Sequence, residues 1–252
     1  MVKKVTRKRK LRKEILLVLM AVICMVSAFS LPSKAAGLED AVESLDVPHY
    51  VEQPVEKTGV DVSFWNGRID WQSVKDSGID YAIIRVGYGG NYTSQDDSQA
   101  MYNMSECTRL GIPFGVYLYS YATDTVHAQS EAEHVLRMIS GYNLSYPVFF
   151  DMEDETTKNL GPQSLGTIAS TFCNTIQNAG YEVGIYSNTY WWTSILTDSV
   201  FDNYQKWCAQ YYDVCTYSGS YIMWQHTDKG RVPGIPSCVD MNISYETEMV
   251  EE

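Results

Sequence analysis

Residues 146–153 read Tyr146-Pro147-Val148-Phe149-Phe150-Asp151-Met152-Glu153. A proline opens the run, β-branched and aromatic residues fill it, and carboxylates close it. Apolar residues on consecutive positions behind a turn residue favour a short buried strand. In a strand, residues two apart share a face, with Cα atoms roughly 6.5–7 Å apart. Asp151 and Glu153 are therefore expected to point the same way at the strand's end. Crowded and poorly solvated, they repel one another, which pushes at least one pKa toward neutrality. A general acid beside an ionised partner is the arrangement that cleaves glycosidic bonds.

Working outward, runs of the same kind recur at 58–62, 81–86, 113–119, 183–187, 206–211, 221–225 and 237–241. Helical periodicity between them predicts helices over 71–76, 95–110, 125–139, 164–179 and 191–196. Gly78, Gly111, Gly141 and Gly180 each follow such a run, where a left-handed cap ends a helix. Strands alternating with helices pair in parallel, and eight of them close into a barrel. The last three strands have too little sequence between them for crossover helices. The expectation is an α/β chain: a reduced TIM-like βα barrel of about five βα units followed by three strands with short connections.

Functional side chains of a parallel barrel gather at the C-terminal ends of its strands. Asp61 stands there after Thr58-Gly59-Val60, Asp151 and Glu153 close the fourth strand, and Asp240 lies in Cys238-Val239-Asp240-Met241-Asn242. One Asp-x-Glu alone reads as a solvated acidic loop. Acids at three separate strand ends reverse that reading. Tyr119, Tyr186, Tyr211 and Trp224 fall near the same ends, as do Phe64, Trp65, Tyr88, Tyr121 and Tyr190. Sugar rings stack on aromatic faces, although about half of these rings are expected simply to pack the barrel.

The 252 residues are 45% hydrophobic, enough for a sizeable core and unlike a disordered chain. Charge is uneven. Residues 1–35 hold nine Lys/Arg against Glu14, leaving 10 basic and 30 acidic residues in 36–252, a net of −20. A surface that acidic excludes nucleic acid as a partner and suits an anionic membrane face poorly. Basic residues to position 14, an apolar run at 15–31 and Ser33-Lys34-Ala35 have the layout of a secretory signal cleaved after Ala35. An uncleaved anchor is the alternative, and the only membrane contact expected. Residues 36–57 read as an acidic lead-in, 58–247 as the folded domain, and 248–252 as an acidic tail.

The mature chain keeps five cysteines, none spaced Cys-x-x-Cys, which excludes zinc ribbons and thioredoxin-like motifs. Cys215 and Cys238 flank the 221–225 strand and are the expected bridge, with Cys208 a competing partner. His49, His127, His134 and His226 form no i, i+4 pair, and neither HExxH nor GxSxG occurs. No phosphate loop follows a strand, so no metal and no cofactor is expected.

Several segments together resemble the glycoside hydrolase family 25 lysozymes, the Chalaropsis-type N-acetylmuramidases. They are Gly59-Val60-Asp61-Val62-Ser63 with Ile69-Asp70-Trp71, Ala82-Ile83-Ile84-Arg85, Gly111 to Tyr117, and Tyr146 to Glu153. Gly184 to Asn188, Trp207 with Ala209 and Tyr211, Met223-Trp224-Gln225, Val232 to Ile235 and Val239 to Asn242 follow in order. The resemblance implies a βα barrel cleaving the β-1,4 bond between N-acetylmuramic acid and N-acetylglucosamine. By position Glu153 matches the proton donor, Asp151 its partner acid, and Asp61 and Asp240 the flanking acids. It also implies substrate contacts from Tyr119, Tyr186, Tyr211, Trp224 and Gln225. Glycan strands of peptidoglycan are the implied partner, met by a monomer outside a bacterial cell at its wall. Arg85-Val86-Gly87-Tyr88-Gly89-Gly90 and Phe64-Trp65 depart from common family patterns in loops that line the substrate. The alternatives are a non-catalytic wall-glycan-binding protein on the same fold, against which all four acids speak, and a chitinase-type enzyme, whose DxxDxDxE strand is absent.

Overall fold

The computed structural model describes residues 50–251; the signal expected at 1–35 lies outside them. Strands and α-helices follow as β1 (Tyr50–Val62), α1 (Trp71–Asp76), β2 (Tyr81–Tyr88), α2 (Ala100–Leu110) and β3 (Phe114–Tyr119). Next come α3 (Thr125–Met138), β4 (Val148–Asp151), α4 (Pro162–Asn178), β5 (Val183–Asn188) and α5 (Thr189–Ser194). β6 (Gln205–Ala209), β7 (Met223–Gly230) and β8 (Val239–Glu251) complete the order. The eight strands close into a barrel in sequence order. Every pair from β1 to β7 is parallel, and β7–β8 is antiparallel. Residues 54–247 form one compact unit; of a second unit, 1–53 with 248–252, the described residues 50–53 and 248–251 are strand.

Alternation along each strand sorts the apolar residues into two layers. Tyr81, Ile83, Phe149, Tyr186, Trp207 and Met223 fill the barrel. Their neighbours Ile84, Phe150, Ile185 and Cys208 face the helices, beside Val135 and Phe172. That is why 148–150 read as apolar on every position: both faces are covered. α4 buries Leu165, Ile168, Ala169, Phe172 and Ile176 along one stripe at helical spacing. Phe172 stacks on Phe150 with ring centroids 4.0 Å apart. Burial of each such large side chain contributes about 1.5–3 kcal/mol.

Small residues make room for the interior rings. A Cβ on Gly184 would sit 2.6 Å from the Phe149 ring, and one on Gly59 2.3 Å from the Tyr81 ring. Gly111 ends α2 at φ 70°, its N–H bonded to the carbonyls of Cys107 and Thr108. Gly78, Gly141 and Gly180 take positive φ as well, as expected of helix ends.

Four boundaries differ from the sequence expectation by five residues or more, and one of them is the end of β7, which was expected at 225 and lies at Gly230. α2 begins at Ala100, because Thr93–Gln95 is a 3-10 turn, Gly87 bridges Asp96, and Asp97 turns inward. β1 already runs from Tyr50 and β8 continues through Glu251. Both terminal stretches mix charged residues with isolated apolar ones and offer no strict alternation by which to read a strand.

The expected Cys215–Cys238 bridge is absent: the five described cysteines are free. Cys215 packs by the start of β7, hydrogen-bonded to Cys208 and Tyr221. Cys238 adjoins Val239, which pairs with Gly230 at the far end of β7. The length of that strand, roughly 20 Å, separates the two thiols, well beyond what a disulfide spans.

Candidate active site

Strand parity builds the site above the barrel's apolar filling. Asp61 on β1, Arg85 on β2, Tyr117 and Tyr119 on β3, and Asp151 on β4 follow the inward rows of their strands. With Glu153, Tyr186, Trp207, Tyr211, Gln225 and Asp240 they line one hollow of about 160 Å³. All four acids expected from the sequence are therefore brought together. So are Tyr119, Tyr186, Tyr211 and Gln225. Trp224 is not: it lines a neighbouring flank groove of about 530 Å³, which shares Tyr211 as a wall. It points out of the barrel, is 7% exposed, and donates its indole N–H to Gln210 O at 2.8 Å. Its neighbour Gln225 has the inward parity instead.

The backbone between the two central acids is fixed at both ends. Met152 N–H donates to Tyr186 O at 3.0 Å, and Met152 O accepts from Ser187 Oγ at 2.7 Å. β5 thus carries the alternation one residue beyond β4 and turns Glu153 back toward the hollow. Asn188 closes β5 and was not among the residues singled out from the sequence. Its Oδ1 accepts from Trp191 N–H at 3.1 Å, capping α5, which leaves its Nδ2 to donate to Glu153 Oε2 at 3.2 Å. A strand-final Asn before a helix was the available signal.

Opposite lies a second network. Asp61 Oδ2 accepts from Gln225 Nε2 at 2.9 Å and from Asn242 Nδ2 at 2.8 Å. Gln225 Oε1 accepts from the hydroxyls of Tyr186 at 2.9 Å and Tyr211 at 3.1 Å. Asn242 Oδ1 accepts from Trp207 Nε1 at 2.8 Å. Every amide orientation is dictated by its donors and acceptors. Tyr119 hydroxyl donates to Asp154 Oδ2 at 3.0 Å.

Burial pushes all four carboxyls above their ordinary range. Asp151 is pushed well up by burial, then by Glu153 and Asp61, with Arg85 opposing. Burial raises Glu153 too, and the Asn188 hydrogen bond opposes it. Asp61 rises to about 6 through burial, restrained by its hydrogen bonds. Asp240 rises to about 8 through burial and then the charge of Asp61, with which it shares a hydrogen bond. Asp61 and Asp240 thus titrate nearer neutrality than free carboxyls. Asp151 Oδ1 is buried without a hydrogen-bond partner among the described residues. The hydroxyls of Tyr119, Tyr186 and Tyr211 stay neutral donors, their pKa raised first by loss of solvation and then by the neighbouring carboxyls.

An acid cluster at the mouth of a reduced βα barrel, walled by Tyr and Trp, defines a glycosidase-type site. The chain belongs to the glycosyl hydrolases family 25, whose model matches residues 60–235. It is 31% identical over 188 residues to an autolytic lysozyme of Clostridium acetobutylicum, covering 73% of this chain and 54% of that protein. It shares 30% identity and a TM-score of 0.67 with the modular autolysin LytC of Streptococcus pneumoniae, solved with a synthetic peptidoglycan ligand. That match covers 76% of this chain and 47% of that one. The chain thus spans about half the length of these two relatives. A family 25 glycosyl hydrolase of Bacillus anthracis has the same fold at 18% identity, TM-score 0.67, over 81% of this chain and 95% of that one.

Proposed function

We propose that the protein is a secreted muramidase, cleaving the β-1,4 bond between N-acetylmuramic acid and N-acetylglucosamine in peptidoglycan. The observation that carries this reading is the Asp151–Glu153 pair in one hollow, with Asp151 Oδ1 buried and unpartnered. Glu153 gives its proton to the glycosidic oxygen as the bond to the muramic C1 breaks. The substrate's own acetamido oxygen attacks C1, so positive charge develops on the acetamido group. Asp151 accepts the acetamido N–H and stabilises that charge. Asp61 and Asp240, sharing a proton, brace it from the opposite wall. Glu153 then takes a proton from the water that opens the intermediate, and the product keeps the β configuration. Tyr119, Tyr186, Tyr211 and Gln225 orient the sugar. The four related carboxyls at strand ends, and relatives named lysozyme and autolysin, support this reading.

Digestion of purified peptidoglycan tests it. Soluble muropeptides with new N-acetylmuramic reducing ends, the β-anomer first by NMR, are expected. De-N-acetylated wall should bind and react far more slowly. Equal rates on both walls, or α-anomer first, would discard the substrate-assisted route. Wall binding without any muropeptide release would favour the non-catalytic reading. Secretion is tested separately, by finding Ala36 at the N-terminus of protein from the culture medium.

A further inference from the structure

Arg85 is the one cation among the described residues that line the catalytic hollow. It continues the inward row of Tyr81 and Ile83, one position above the apolar filling, and pairs across β3 with Tyr117. Its guanidinium is anchored from behind. Nε donates to Asp97 Oδ2 at 2.8 Å, with side chains 12% and 0% exposed. Asp97 is itself fixed: Oδ2 also accepts Phe64 N–H at 2.9 Å, and Oδ1 accepts Gln99 N–H at 2.9 Å. The Phe64 ring lies 4.9 Å from the guanidinium carbon. Among the described residues, the two terminal nitrogens take no protein hydrogen bond. A buried cation tied by a single nitrogen, beside four acids, is arranged to act by charge.

We propose that Arg85 is a positioning residue: held by Asp97, it supplies the fixed positive charge that keeps Asp151, rather than Glu153, as the anion of the pair. The inference rests on the reading above, in which Glu153 carries the proton to the leaving group. Without a cation the deeper acid would hold that proton. Asp151 is 3% exposed, and its Oδ1 lacks a donor. The acids around it are Asp61, Glu153, Asp154 and Asp240, of which Glu153, Asp61 and Asp154 disfavour its ionisation. Tyr117, Tyr119 and Tyr186 also face it as neutral phenols. Arg85 is the one group there whose charge opposes them. Asp97 turns its charge away, into its ion pair and two backbone N–H groups.

The test is the pH profile of kcat/KM on purified peptidoglycan for wild type, Arg85→Gln and Arg85→Lys, with circular dichroism and Tm measured on each. Loss of the charge should move the acid limb up by about one pH unit, so rates below the limb fall about tenfold. Arg85→Lys keeps the charge and should keep the wild-type limb. The double variant Arg85→Gln/Asp97→Asn removes the stranded Asp97 charge along with the arginine. It should show the same upward shift, and it is the variant to read if the single one does not fold. A folded Arg85→Gln or double variant with an unmoved limb overturns the inference, whatever its rate. So does a limb moved equally far in Arg85→Lys. Failure of the underlying reading is distinguishable, because the wild-type protein would then release no muropeptides at any pH.

Discussion

The side-chain amide of Asn188 is divided between a helix and an acid. Its oxygen caps α5 and its nitrogen reaches Glu153, so a helix start sets the orientation of the proton donor. Asn188→Ala should cost about 1 kcal/mol of stability for the lost cap. It also removes the hydrogen bond that restrains the rise of Glu153. The alkaline limb of the rate profile should therefore move to higher pH, which a profile paired with thermal unfolding would show. Glu153→Gln keeps the shape and deletes the proton. Turnover should fall by a factor on the order of 10²–10⁴ with circular dichroism unchanged; a folded variant at near wild-type rate would remove Glu153 from this role.

At the scale of elements, the loop from β3 to α3 depends on one buried acid outside the hollow. Glu131 on α3 accepts from Ser120 Oγ at 2.7 Å and from Tyr121 N–H at 2.9 Å. Ser120 Oγ in turn accepts from Ala122 N–H at 3.1 Å. Burial raises Glu131 to about 7. Because Ser120 N–H also donates to Asp151 O at 3.0 Å, the loop and the end of β4 are tied together. Glu131→Ala should release the amides of Tyr121 and Ala122 to hydrogen exchange and raise KM more than it lowers kcat. In the barrel itself, Gly184→Ala would press on Phe149 and on Gln205 O. Overpacking there should cost about 1–3 kcal/mol, read as a lower Tm with no change in the pH profile.

For the whole molecule, the raised acids dictate how stability responds to pH. Folded pKa values of about 6 for Asp61, about 7 for Glu131 and about 8 for Asp240 compare with unfolded values near 4. Between those values the folded state holds protons that the unfolded state has lost. Their stabilisation is therefore full below about pH 4 and is lost as pH rises through 6 to 8. Asp70, Asp96 and Glu106, lowered by their partners, act only at more acidic pH. Tm should fall from pH 5 to pH 8, and Asp240→Asn should flatten the decline. A Tm rising over that interval would contradict the proton-holding cluster.

Much of this protein was legible before folding. Strand identity follows from short apolar runs, helix ends from glycines, and the four acids from their places at strand ends, because period and turn chemistry are local properties of the chain. Tyr119 and Tyr186, expected near strand ends, line the hollow with the acids. Trp224 shows the limit: a ring near a strand end faces the hollow or the flank according to a parity that one residue reverses, and Gln225 took the inward place. The cysteines show it again, since a spacing of 22 intervening residues is silent about the strand that holds Cys215 and Cys238 apart. Arg85, Asp97 and Asn188 acquire their roles only from contacts between elements. What the sequence by itself determined is which four acids lie at the barrel mouth. Which acid is buried deepest, which amides face Asp61 and Glu153 and where Arg85 stands were decided by tertiary packing, because desolvation and charge act through space rather than along the chain.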